Sequence, residues 1–416
     1  MTDRPATNRL VNVFVAERGN DFMADIAGWL AEAAELAGHP SRLVRDGSLP
    51  TDAAAINLVV APHEFYVLSD ADNAAIDAAV QCSIPVCTEQ PGTSWFDMTV
   101  LLSRASPMVL DINTHGVAAL QAEGIDAQHL RLGGVPSMDR RRAGTGRPTD
   151  VLFLGGLTDY RAATLAALAA QLWERRADLR LFDFSRPVDG AIESLVFGEA
   201  KYDLLASSRL LVNIHRDGGD GGDGGANHYF EWARLVEAMA NGCVVVTEPA
   251  TGFAPLESGT HFIETTNVAA TIADLLDDAD RCAEISSAAS VAVLKEHPLV
   301  DSLGPILAAL PLPGIGSHGS TKRRSVPSYR SKLRRAQQIP LLPPFRPTTT
   351  LRRRVYTALH DEMSLQRSID AVRCIYRHGD AEHVEVITSA SYKNATADAT
   401  PEVSVIVTLF DYAAVV

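Results

Sequence analysis

The stretch HYFEWARLVEAMANGCVVVTEP, His228 to Pro249, joins a helical pattern to a run of valines with one glycine near the join. At about 3.6 residues per turn, Trp232, Leu235, Val236 and Met239 share one side of the helix. Glu231, Arg234 and Glu237 share the other. Ala238, Ala240 and Gly242 are small enough to let the helix end lie close to a sheet. CVVVTE has no polar alternation, so it reads as a strand covered on both faces, the mark of a parallel sheet between helices. By pattern alone the helix is either an amphipathic surface helix with two Glu–Arg pairs or the wall of a binding cleft.

Outward from this segment the same alternation repeats. Upstream lie DVLFLGGLTDYR, with Gly155 and Gly156 as a turn after a strand, then the helix AATLAALAAQLWERR and the strand LRLFDF. Helix YDLLASS and strand LLVNIH complete the approach. Downstream, HFIE reads as a strand, and VAATIADLLDDA and RCAEISSAASVAVLKE as helices. An earlier block has strands RLVNVFVA, SRLVR, INLVVAP, IPVCTE and PMVLDI, with helices FMADIAGWLAEAAELAG, ADNAAIDAAVQ and GVAALQAEG. This pattern predicts an α/β chain of two doubly wound Rossmann-like domains facing across a cleft, with ligands at the carboxyl ends of the strands. The expected organisation is an acceptor domain over 1–145, a donor domain over 146–310 with RRRAGTGRPT as hinge, a basic linker over 311–354, and a partial α/β segment over 355–416. In that last segment PEVSVIVTLFDYAAVV ends the chain as an apolar strand, as if a further domain began there.

Composition narrows the function. The 416 residues carry a formal net charge of -14, which argues against a nucleic-acid partner. The 5 cysteines form no CxxC or Cys/His cluster, so neither a disulfide framework nor a metal site is expected, and reduced thiols suit a cytoplasmic setting. No apolar run approaches the roughly 20 residues that span a bilayer. Residues 319–354 hold 11 Lys or Arg and no acid. They read as a solvated tether, or as a peripheral contact with anionic lipid at the inner face of the membrane.

Candidate site residues follow from position. The helix after LLVNIH points its N-terminus at the cleft, which favours a phosphate. Arg161, behind the Gly155–Gly156 turn, could neutralise a departing diphosphate, and His215 ends a strand beside it. DGGDGGDGGANH, Asp217 to His228, reads as a loop at the cleft edge. In the first block, His63 and Glu64 follow one strand and Glu89 another, so all three are candidates for the acceptor side. VAERGND lacks GxGxxG, which argues against a dinucleotide oxidoreductase.

RLVEAMANGCVVVTEP, DVLFLGGLTDYR and LLASSRLLVNIHRD resemble the donor-site segments of GT-B glycosyltransferases of the retaining, nucleotide-sugar-dependent kind, closest in flavour to the spore-maturation (CgeB-like) group. The resemblance spans about residues 145–300, and the first block shares only architecture. It implies that Glu237 binds the nucleotide ribose, that Arg161 contacts the diphosphate, and that Gly155, Gly156, His215, Tyr229 and Arg234 line the donor site. A related motif would have Glu at 229, where this chain has Tyr229, and Glu231 is out of register. PEVSVIVTLF resembles the opening strand of GT-A glycosyltransferases. The implied function is hexosyl transfer, with retention, from a nucleoside-diphosphate sugar to a glycan, glycolipid or protein acceptor of the cell envelope, with no cofactor required. Two alternatives stay open: a catalytically degenerate GT-B module that scaffolds an attached GT-A transferase, and a nucleotide-sugar epimerase with the same two-domain plan.

Overall fold

A computed structural model describes residues 9–142, 146–156, 158–182, 196–216 and 228–310. The first lobe runs β1 (Val11–Phe14), α1 (Asp21–Leu36), β2 (Ser41–Val44), β3 (Ile56–Val60), α2 (Pro62–Leu68), α3 (Asn73–Gln81) and β4 (Ile84–Cys87). It continues with α4 (Ser94–Ser103), β5 (Val109–Asp111), α5 (Thr114–Ala122) and β6 (Ala127–His129). The second lobe has β7 (Thr149–Gly156), α6 (Asp159–Trp173), β8 (Ala177–Phe182), α7 (Gly198–Ala206), β9 (Ser208–Asn213), α8 (Trp232–Ala240) and β10 (Val244–Thr247). β11 (Ile263–Glu264), α9 (Val268–Asp277), α10 (Ala279–Val291) and α11 (Leu299–Ala309) follow.

Both sheets are parallel throughout. Their strand orders are β2-β1-β3-β4-β5-β6 and β11-β10-β9-β7-β8. Each lobe's first strand is flanked by its second on one side and its third on the other. The order therefore reverses between β1 and β3 in the first lobe and between β7 and β9 in the second. At such a reversal the helices leave toward opposite faces and open a crevice beyond the carboxyl ends of the strands. The two-domain α/β Rossmann-like architecture is the one the strand–helix alternation predicts.

Several local expectations change. Gly155 and Gly156 do not form a turn; they are the last residues of β7 and pair with Leu181 and Phe182 of β8. His63 and Glu64 lie in the first turn of α2 rather than in a loop. Helices α4 and α11 and the edge strand β6 escape the periodicity reading. The Asp217–Asn227 part of the glycine–aspartate loop, Ala143–Thr145 of the hinge, the basic linker and the terminal strand lie outside the described residues.

One apolar cluster runs through both lobes. It joins Val13, Leu30 and Leu58 of the first to Leu211, Trp232, Val236 and Val245 of the second, all buried. Each such side chain contributes roughly 1.5–3 kcal/mol when fully buried. After α10 the chain crosses back, and α11 packs along α1. The crossing is pinned by Gly134 N–H donating to Val293 O at 2.8 Å and Leu299 N–H donating to Gly134 O at 3.1 Å. A side chain at Gly133 would collide with the backbone of His297 to Leu299, so only glycine fits this approach.

Candidate functional site

The second lobe's strand ends gather charge at the reversal between β7 and β9. Thr158 caps α6 by accepting from Arg161 N–H at 3.2 Å, which aims the Arg161 side chain back over the sheet. Its guanidinium bridges the two strands: Nε donates to Ile214 O at 2.9 Å and Nη1 to Gly156 O at 3.1 Å. A Cβ at Gly155 would lie 3.2 Å from Nη1, so the glycine leaves room for this crossing. Nη2 sits 3.4 Å from Glu231 Oε1.

Glu231 precedes α8 rather than riding on its face. Its other oxygen pairs with Arg234 Nη2 at 3.0 Å, and Arg234 Nη1 donates to Asn213 Oδ1 at 3.0 Å. His215 N–H donates to Glu248 Oε2 at 2.7 Å, and Tyr160 donates its hydroxyl proton to the other oxygen of Glu248. His215 Nε2 lies 2.9 Å from Pro249 O and must carry the proton, because a carbonyl can only accept. The ring stacks on His228 at 4.1 Å.

Burial pushes the Arg161 guanidinium down to about 9, with Arg234 adding repulsion, and it stays charged at neutral pH. Burial works against the charge of Glu231, but Arg234 and Arg161 outweigh it and hold the carboxyl below its usual range. The Arg216 charge also acts on both Arg161 and Glu231. Three arginines thus surround one glutamate at a sheet reversal, an arrangement suited to an anion with several oxygens.

Glu237 departs from this group. It is 1% exposed and faces the first lobe. Lys201 Nζ of α7 lies 2.7 Å from Glu237 Oε2 and 2.7 Å from Asp25 Oδ2 of α1. Phe22, Trp29 and Tyr202 surround the ammonium at 5.2–5.8 Å. Trp29 Nε1 donates to Tyr202 Oη at 2.6 Å across the lobes. Burial opposes the Lys201 charge, but Glu237 and Asp25 outweigh it and raise its pKa. With two acids on one base, burial pushes Glu237 up to about 7. The residue is inside an inter-lobe contact, and the expected shared face of Glu231, Arg234 and Glu237 is divided: the first two pair with each other beside Arg161, and Glu237 meets Lys201.

Tyr229 bridges the lobes at another point. It is buried, pairs in a short bridge with Thr251, and donates its hydroxyl to Ile112 O beyond β5. In the first lobe, His63 and Glu89 meet at 3.6 Å, and Thr99 Oγ1 lies 3.3 Å from His63 Nδ1. Glu64 accepts from Asn20 N–H, joining the start of α2 to the start of α1. Asp111 accepts from Asn113 N–H at 2.7 Å. No group of His, Cys, Asp and Glu among the described residues could hold a metal ion. No helix among them is long and apolar enough to cross a membrane.

Asn213, Glu248, Tyr160 and Asp111 were legible by the rule that selected Arg161 and His215, since each lies at or just past a strand's carboxyl end. Asp25 and Lys201 carried no local signal; both sit on ordinary helical patterns.

A two-lobed Rossmann-like protein with an arginine cluster at the sheet reversal of its second lobe is the class these features define. Within it, residues 166–308 match the family described as "Glycosyl transferase-like", from inside α6 to inside α11. No curated protein matches the chain. Among solved structures, the alpha-glucosyltransferase (AGT) in complex with UDP is 9% identical, over 72% of this chain and 99% of that one, with a TM-score of 0.48. Sucrose-phosphate synthase (tll1590) from Thermosynechococcus elongatus is 12% identical, over 72% and 98%, with a TM-score of 0.45. AviGT4, a glycosyltransferase involved in Avilamycin A biosynthesis, is 16% identical, over 72% and 98%, with a TM-score of 0.43.

Proposed function

We propose that the protein is a GT-B glycosyltransferase that moves a hexose, with retention, from a nucleoside-diphosphate sugar to a glycan, lipid or protein acceptor. The observation that carries this reading is the bridge made by Arg161 between the ends of β7 and β9, just ahead of the glycosyl transferase-like stretch, with Arg234 and Glu231, inside that stretch, beside it. Breaking the glycosidic bond of such a donor leaves growing negative charge on the diphosphate. Fixed guanidinium groups in a dry crevice stabilise that charge without having to reorganise. No metal is required where arginines carry this role.

Calorimetric titration with a panel of nucleoside diphosphates tests the reading. One of them binds, and Arg234→Ala weakens it by about 1.5–3 kcal/mol, the range for hydrogen bonds to charged groups. Failure of every diphosphate to bind, or an unchanged affinity in the folded variant, overturns it.

A second reading, a degenerate GT-B module that binds nucleotide or glycan and supports an attached transferase, draws on Glu237 and Tyr229. The carboxylate expected at the ribose is engaged by Lys201, and Tyr229 is spent on an inter-lobe bond to Ile112 O. Turnover separates the two: only the enzyme releases free nucleoside diphosphate from the sugar donor over time. We place the protein in the cytoplasm, with residues 319–354 as a peripheral contact for anionic lipid; vesicles with and without phosphatidylserine test that contact.

A further inference from the structure

The two sheet reversals carry opposite chemistry. In the second lobe an arginine joins the strands on either side of the reversal. In the first lobe an acid spans the reversal: Glu64, in the first turn of α2 beyond β3, accepts from the Asn20 N–H at the start of α1, the helix that follows β1. Two more acids continue along adjacent strand ends, Glu89 beyond β4 and Asp111 at the end of β5. Glu64 is 1% exposed and Asp111 is 0% exposed, whereas the Glu89 side chain keeps 18% of its surface.

These acids lack something. Glu64 Oε2, Asp111 Oδ2 and the Thr88 hydroxyl are buried and hydrogen-bond to no protein group. A buried carboxylate oxygen without a donor costs free energy comparable to a lost hydrogen bond. Glu89 also repels both buried neighbours, adding to the effect of burial in pushing Glu64 to about 7 and Asp111 to about 8. The nearby cations pair with other acids: Arg45 Nη2 meets Asp21 at 2.5 Å, so its charge reaches Glu64 only as a minor effect, and His63 faces Glu89. The inter-lobe clasp of this same chain shows what such acids accept. There, two buried carboxylates close on one ammonium, that of Lys201, at 2.7 Å each.

We propose that the carboxyl ends of β3, β4 and β5 form a site for a ligand bearing a primary ammonium group, held by Glu89 at the crevice and by Glu64 and Asp111 beneath it. Resting on the transferase reading, this makes the acceptor an amine-bearing molecule, such as an amino sugar, rather than an anionic one. The Asp111 charge acts on the Tyr229 hydroxyl, so the site extends toward the contact that Tyr229 makes between the lobes. An acceptor there has the acidic lobe on one side and the arginine crevice on the other. Its ammonium and the donor's diphosphate are each drawn to their own lobe, which orients the pair for transfer.

Glucosamine, glucose and N-acetylglucosamine serve as probes in calorimetric titrations of the full chain saturated with nucleoside diphosphate. Glucosamine binds at least about tenfold more tightly than either neutral sugar, as expected for a charge-assisted contact. Glu89→Gln removes that preference and leaves diphosphate affinity unchanged. Without any variant, glucosamine raises the melting temperature of the wild-type chain more than glucose does. Equal binding of charged and neutral sugars overturns the proposal. So does a preference that survives Glu89→Gln, or displacement of glucosamine by Mg²⁺ or Mn²⁺. Amine binding without diphosphate binding would retain this site and reject the transferase reading, so the two can fail separately.

Discussion

Charge at the level of single residues is decided by which partners burial brings within reach. Arg161 and Lys201 are both buried cations, yet they do different work. Arg161 spends two of its donors on backbone carbonyls that end β7 and β9, and its remaining charge is directed at Glu231 and the crevice. Lys201 is closed in by two acids and three aromatic rings, and its charge is fully used. Removing one member of a buried ion group leaves its partners uncompensated and costs about 3–5 kcal/mol. Lys201→Met is therefore expected to lower unfolding free energy by that amount in urea titration. The double variant Lys201→Met, Glu237→Gln should recover part of it, because one of the two stranded charges is gone.

At the level of elements, α8 is the piece that assembles the molecule. Eight of its 9 residues, Trp232 and Ala233 and then Leu235 to Ala240, are buried, so it is an interior helix rather than a surface one. Its preceding turn supplies Tyr229 to the inter-lobe contact and Glu231 to the arginine cluster, and its second turn supplies Glu237 to the clasp. Tyr229→Phe deletes the hydroxyl donated to Ile112 O and leaves the ring in place. We expect about 1 kcal/mol of destabilisation from that single bond, seen as a lower denaturation midpoint with an unchanged slope. Gly155→Ala tests the strand end. Its methyl would press on the Arg161 guanidinium at 3.2 Å, so nucleoside diphosphate affinity should fall while the circular dichroism spectrum stays native.

Over the whole molecule, the buried acids set the response to pH. Glu64 and Asp111 are raised by burial to about 7 and about 8, from ordinary values of 4.5 and 3.8. Between the ordinary and raised values the folded chain holds protons that the unfolded chain has released. Stability then falls as pH rises through this window and levels off above it. Glu237, raised to about 7, acts in the same direction. The melting temperature should therefore drop from about pH 5 to about pH 8. Asp111→Asn should flatten the upper part of that slope. A melting temperature that rises across this range would contradict the assignment.

What the sequence settled by itself is the class of fold. Valine-rich runs bounded by helical periods report burial on both strand faces, and that signal is local, so β1, β3, β4, β7, β9 and β10 all appear where the pattern puts them. Strand ends also marked Arg161, His215, Glu64 and Glu89, because parallel strands place their carboxyl ends together whatever the loops do. Only the tertiary structure could decide that Glu237 meets Lys201 and Asp25, residues from three helices, or that Tyr229 closes on Ile112. Those contacts depend on how one lobe packs against the other. Helical periodicity says which residues share a side and not what that side will meet. Here both sides of α8 met protein, and its charged residues were divided among partners supplied by distant parts of the chain.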